Sequence, residues 1–163
     1  MDAINSLTFK NMILAAASAL DQQKDIVNAL NVFPVPDGDT GTNMSLTLNA
    51  AIKELEMAQS DEVSRLSSLL ARGSLMGARG NSGVILSQFF RGFSDGLKNA
   101  KQEATGEDVA SAFVTAAETT YRAVMKPVEG TMLTVARVAG EYAAQAAENG
   151  ANAQEVLESA VEG

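Results

Sequence analysis

The sequence predicts an all-helical fold, and three observations carry the prediction. Apolar residues recur at three- and four-residue steps through most of the 163-residue chain. Good helix formers such as alanine, leucine, methionine, glutamate and glutamine are plentiful, whereas strand-length runs of valine, isoleucine, threonine and aromatics are scarce. The periodic stretches are separated by short clusters of glycine, proline and asparagine, residues that end helices. Together these give seven or eight helices with little or no sheet, packed as an antiparallel bundle or barrel.

The first periodic stretch runs from Ser6 to about Leu30 on Leu7, Met12, Ile13, Ala16, Ala17, Leu20, Ile26, Val27 and Leu30. It reads as one helix or as two joined near Asp21 to Lys24. Phe33-Pro34-Val35-Pro36 then forces extended backbone, because two prolines so close cannot sit inside a helix. Asp37-Gly38-Asp39-Thr40-Gly41 follows as a tight turn. Helix resumes over about Thr42 to Ala58, with Met44, Leu48, Ala51, Ile52 and Leu55 on one face. Asp61 to Met76 carries Val63, Leu66, Leu69 and Leu70. Gly77-Ala78-Arg79-Gly80-Asn81-Ser82-Gly83 is a second turn. It opens a helix from Val84 to Leu97 whose apolar face is Val84, Ile85, Phe89, Phe90 and Phe93. Glu107 to about Met125 is amphipathic on Val109, Phe113, Ala116, Ala117 and Tyr121. Lys126-Pro127-Val128-Glu129-Gly130 is the third interruption. Thr131 to Glu148 is helical, Asn149-Gly150 caps it, and Ala153 to Val161 starts the last helix. Met12, Met44, Met57, Met76, Met125 and Met132 read as core filler.

Composition removes several kinds of chemistry. The chain has no cysteine, hence no disulfide, thiol nucleophile or thiolate-bound zinc, and no histidine, hence no imidazole base or serine-histidine triad. Its 20 acidic against 12 basic residues give a net charge of −8, which argues against a nucleic-acid partner. Any metal would be a hard cation on oxygen ligands. There is no apolar run of transmembrane length and no signal-peptide pattern, so the expected location is the cytoplasm.

Function is to be sought in the turns. Asp37 and Asp39 place two carboxylates one residue apart. In an extended turn both would point the same way, and a cation between them would relieve their repulsion. Thr42 and Asn43 sit at a helix start, where free N–H groups attract anions. A metal–phosphate site fits this pattern; an ordinary Asp-Gly turn with a threonine cap fits it too, and both stay open. The second turn has the composition of a phosphate cradle. Glycines let the backbone approach an anion, Ser82 stands at the helix entrance, and Arg79 brings positive charge. A C-cap glycine followed by an N-cap serine explains Gly77 and Ser82, but not three glycines in seven residues. No glycine is followed by Lys-Ser or Lys-Thr, so there is no Walker A loop. In the third turn Gly130 and Thr131 could cap a helix and nothing more.

Asn31-Val32-Phe33-Pro34-Val35-Pro36-Asp37-Gly38-Asp39-Thr40-Gly41-Thr42-Asn43-Met44 resembles the signature of the N-terminal kinase domain of the bacterial fatty acid kinase large subunit. Gly77 to Gln88 and Lys126 to Leu133 resemble its second and third motifs, in order and at suitable spacing. More broadly the chain is similar to the nucleotide-binding subunit of dihydroxyacetone kinases. The resemblance implies an antiparallel barrel of about eight helices with ATP at one rim. It implies that Asp37 and Asp39 hold Mg2+, with Asn31 near a further ligand position. It places Thr40, Thr42 and Asn43 beside the metals, has Gly80, Asn81 and Ser82 cradle phosphates with Arg79 nearby, and puts Thr131 and Met132 near the nucleoside. The implied reaction gives an acyl phosphate from a fatty acid carried by a separate acyl-binding protein. A dihydroxyacetone-kinase-type subunit or a non-catalytic nucleotide-binding fragment is the alternative. Thr40 stands where dihydroxyacetone kinases usually carry histidine, which favours the fatty acid branch. The resemblance makes residues 1–163 one kinase domain from a longer chain, ending before the family's last helix and its late glycine segment, and leaves a homodimer open for the full-length protein. A fatty acid carboxylate is already ionised at neutral pH, so its phosphorylation needs no base, in keeping with a chain that lacks histidine.

Overall fold

The computed structural model describes residues 1–163 as seven helices and one two-residue strand pair. The helices are α1 (Ser6–Leu30), α2 (Thr40–Met57), α3 (Val63–Met76), α4 (Gly80–Gly96), α5 (Gly106–Ala123), α6 (Met132–Glu148) and α7 (Ala153–Glu162). The all-α expectation holds. Strands β1 (Ile4–Asn5) and β2 (Glu103–Ala104) pair antiparallel, with Ile4 opposite Ala104. The first helix is continuous over 25 residues, with no joint near Asp21. Two helices begin earlier than periodicity predicts: α2 at Thr40 and α4 at Gly80. Periodicity marks where apolar residues recur, and the first turns of these helices carry glycine and polar residues instead.

Successive helices run antiparallel. At one end Asn28 of α1 meets Thr42 of α2; at the other the Lys10 ammonium donates to the carbonyl of Ala58, just past α2, at 2.6 Å. Gly92 of α4 faces Ala116 of α5 while Gly96 faces Ala112, again in opposite directions. Gly140 of α6 lies against Phe113 of α5, and Gly163 after α7 returns to Val138 and Tyr142. The starts of α1, α5 and α7 therefore share one end, tied by the strand pair and by the Ala153 N–H donating to the carbonyl of Asp2 at 3.2 Å. The starts of α2, α4 and α6 share the other.

The core joins Leu48, Ala51, Ile52 and Leu55 of α2 to Val63, Leu66 and Leu70 of α3, Val109 and Ala112 of α5, and Val156 of α7. All but Ala112 and Val156 lie on the predicted apolar faces, whereas on α1 the expected Leu7, Ile26 and Leu30 are exposed and Phe9 is buried instead. The expected face of α4 needs correction. Its fully buried residues are Gly83, which sits against Thr47 of α2, Ser87, and Gly92, which lets its backbone close on α5, whereas Val84 is half exposed. Phe89, Phe90, Phe93 and Phe113 are only partly buried and pack edge-on or stacked, with ring centroids 5.3–6.3 Å apart. The methionines also depart from expectation, since Met57, Met76 and Met125 are exposed and only Met12 of the six packs against the core.

Candidate functional site

The first turn is built by asparagines at the end of α1. Asn31 is the last, half-in residue of that helix. Its amide donates to the carbonyl of Val35 at 3.0 Å and accepts from the Asp39 N–H at 3.2 Å, folding residues 32–38 into a closed loop. The Phe33–Pro34 peptide is cis. Gly38 has φ +67°, a left-handed conformation that glycine adopts without strain, so the turn is not extended at its centre. The extended backbone expected between Asp37 and Asp39 is therefore corrected: the chain bends at Gly38. Both aspartates are exposed, and neither carboxylate has a hydrogen-bond or salt-bridge partner within the protein.

Asp39 precedes α2 in the capping position but makes no side-chain cap. The cap comes from α1 instead. Asn28 accepts from the Thr42 N–H at 3.0 Å and donates to the Thr42 hydroxyl at 2.9 Å. Gly41 is buried where α2 crosses the backbone of Lys24, too close for any side chain.

The second turn packs directly on the first. Gly80 has φ +65°, and a Cβ there would collide with the amide of Asn43. Thr47, fully buried one turn after Asn43, donates to the Asn43 carbonyl at 2.7 Å and accepts from the Arg79 N–H at 3.1 Å; Gly83 sits against the same hydroxyl. Ser82 is not the cap of α4. Arg79 occupies the capping position without a side-chain bond, the first helical bond runs from Gly83 N–H to the Arg79 carbonyl, and Ser82 lies three residues into the helix. The N–H groups of Gly80, Asn81 and Ser82 are thus open at the start of an uncapped helix, where backbone dipoles favour an anion.

The third turn is held by Glu129. Its carboxylate accepts from the Tyr121 hydroxyl of α5 and the Thr134 hydroxyl of α6, each at 2.7 Å, and pairs with Arg137 at 3.3 Å. Those hydroxyls, Thr134 first, hold its pKa below the ordinary carboxylate value. Thr131 caps α6 by accepting from the Leu133 N–H, and Met132 is the first helical residue. So Asn31, Asp37, Asp39, Thr40, Thr42, Asn43, Arg79, Gly80, Asn81 and Ser82 come together on two touching turns. Thr131 and Met132 share their end of the bundle on a separately braced one.

Sequence reasoning missed Asn28, Thr47 and Glu129. Asn28 reaches across 14 residues of chain and carries no local signal. Thr47 could have been found, with Ser45, as one of two polar residues flanking Met44, Leu48 and Ala51 on the apolar side of α2. A separate polar cleft of about 430 Å³ between α1 and α2 is lined by Leu14, Asp21, Asn49, Ile52 and Glu56, among others. Asp21 accepts there from Ser45 and Asn49, which lowers its pKa.

What this geometry defines is a class: an all-helical domain with its chemistry-bearing residues on glycine-rich turns at the starts of neighbouring helices. A DAK2 domain model matches residues 34–163, and the chain belongs to that family, a kinase-related, nucleotide-binding one. Among curated relatives it is similar to Protein YloV of Bacillus subtilis (strain 168), 51% identical over 140 residues, covering 86% of this chain and 25% of that protein. It is 48% identical over 155 residues to an uncharacterised protein of Staphylococcus haemolyticus, and 47% identical over the same length to one of Staphylococcus aureus (strain NCTC 8325 / PS 47). Each of those alignments covers 95% of this chain and 28% of the relative. The chain thus spans about a quarter of the length of the curated relatives it matches. No helix is long and apolar enough to cross a membrane.

Proposed function

We propose that residues 1–163 form the ATP-binding domain of a Mg2+-dependent kinase that phosphorylates the carboxylate of a fatty acid presented by a separate acyl-binding protein. The observation that carries this reading is the contact between the two turns: two unpartnered carboxylates beside an uncapped helix start with three open N–H groups. The donor set fits the metal. Mg2+ is usually held by one or two carboxylates, with waters and substrate phosphates completing its shell, and Asp37 and Asp39 supply two oxygen donors free of other partners. Bound there, the ion would neutralise phosphate charge. Asn31 holds the loop that presents these aspartates. The Gly80, Asn81 and Ser82 N–H groups face the anion, Arg79 adds positive charge, and Thr40, Thr42 and Asn43 line the wall between the turns. Thr131 and Met132 bound the nucleoside side. Positioning and electrostatics then suffice, since an ionised carboxylate attacks without a base.

Calorimetric titration of ADP tests the reading. Binding is expected with Mg2+ and not with EDTA, and Asp37→Ala and Asp39→Ala are each expected to abolish it; equal affinity in EDTA overturns the metal role. The DAK2 match also favours a second acceptor, dihydroxyacetone, which a direct phosphorylation assay with each acceptor distinguishes.

A further inference from the structure

Five of the seven helices begin with a side chain able to cap. Four of these residues (Asn5, Thr105, Thr131 and Asn152) have extended backbone, with ψ within about 10° of 180°, and each accepts from a main-chain N–H of its own helix. Asp39 is the exception. Aspartate is among the best capping residues, yet ψ is 3° and its carboxylate caps nothing. The N–H it would ordinarily take, that of Thr42, goes to Asn28, while its own N–H goes to Asn31.

We infer that Asn28 is a positioning residue that caps α2 from the neighbouring helix and thereby keeps the Asp39 carboxylate uncommitted for a divalent cation. The inference rests on the metal role of Asp39 proposed above. Asn31 assists by holding the Asp39 N–H, which fixes the turn in the non-capping conformation. If Asn28 is removed, the Thr42 N–H loses its acceptor and the nearest replacement is Asp39 itself. The aspartate turns inward to cap, the helix start stays satisfied, and the cation loses a ligand.

The consequence is an exchange of roles that can be read without nucleotide or metal. In EDTA, Asp39→Ala in the otherwise unchanged chain is expected to leave the melting temperature where it is. In an Asn28→Ala background the same change is expected to lower it by about 2–4 °C, the effect of losing one cap in a domain of this size. Equal shifts in the two backgrounds overturn the inference. So does an Asn28→Ala chain that fails to fold, because Asp39 should take over the cap. Calorimetry gives the second measurement. With Mg2+ present, Asn28→Ala is expected to weaken ADP binding about five- to tenfold, the equivalent of one cap bond, while Asn28→Asp keeps the acceptor oxygen and binds within about twofold of the parent or tighter. Parental affinity in Asn28→Ala, or equal weakening in both variants, overturns the inference. A parent chain that binds ADP no better in Mg2+ than in EDTA overturns the metal role, an outcome the melting experiment in EDTA separates from failure of the cap exchange.

Discussion

Glu129 shows how one exposed carboxylate can organise a turn. It accepts two hydroxyl hydrogen bonds and one guanidinium contact from the two helices that flank it. The pKa of the folded carboxyl lies below its ordinary 4.5, because the Thr134 and Tyr121 hydroxyls bond the charged form. The sign follows from linkage: the stabilisation is fully present above 4.5 and is lost as pH falls through the lower folded value. Glu129→Gln is therefore expected to remove part of the decline in stability below pH 4.5 while changing little near neutrality beyond the cost of the lost bonds. Urea denaturation of both chains between pH 3 and 7 checks this, and parallel pH profiles would count against it. The network was invisible in the sequence for a plain reason. In the sequence Glu129 is only one residue of the third interruption, and its importance comes from Tyr121 and Arg137, each eight residues away on a different helix.

At the scale of elements, small residues set how closely helices approach. A Cβ at Gly92 would lie 2.6 Å from the Ala116 Cα and the Thr115 carbonyl, and one at Gly96 2.5 Å from the Ala112 Cα. The obstacles are backbone, so α4 and α5 would have to separate. Gly92→Ala is expected to destabilise the fold by about 1–3 kcal/mol despite its better helix propensity, measurable as a lower denaturation midpoint. Thr47 joins α2 to α4 in another way. Thr47→Val keeps the shape but leaves the Arg79 N–H without its acceptor, at an expected cost of about 1–3 kcal/mol. Hydrogen exchange at Arg79 should quicken in that variant. Helix identities and most apolar faces were legible because periodicity records them directly: Leu48, Ala51, Ile52 and Leu55 are buried as their spacing requires. The starts of α2 and α4 were not. Gly80, Asn81 and Ser82 have poor helix propensity, and tertiary contact with Asn43 and Thr47 overrides it.

Across the whole molecule, antiparallel order turns three separated motifs into one end of a bundle. That the turns carry the chemistry was readable from their glycines and carboxylates; that the first two touch was not, since Asn43 and Gly80 are far apart in sequence and meet only because α2 and α4 pack side by side. Few contacts within the chain hold this end rigid: residues 32–39 are exposed throughout, and the first turn leans on two asparagines. A ligand that bridges the two turns should therefore tie the exposed Asp37–Asp39 loop to the start of α4, adding to the Thr47 bond that already joins α2 to α4. Binding to the folded state alone stabilises by about 2.7 kcal/mol when the ligand is at 100 times its Kd, which for a domain of this size raises the melting temperature by roughly 5–10 °C. ADP with Mg2+ is expected to produce that shift, and ADP with EDTA is not. In Asp37→Ala the shift should vanish in both conditions although the unliganded melting temperature stays near that of the parent, because the Asp37 carboxylate makes no bond within the fold. A scanning-calorimetry series over ADP concentration checks the argument: a rise that persists in Asp37→Ala would place the ligand away from the paired aspartates.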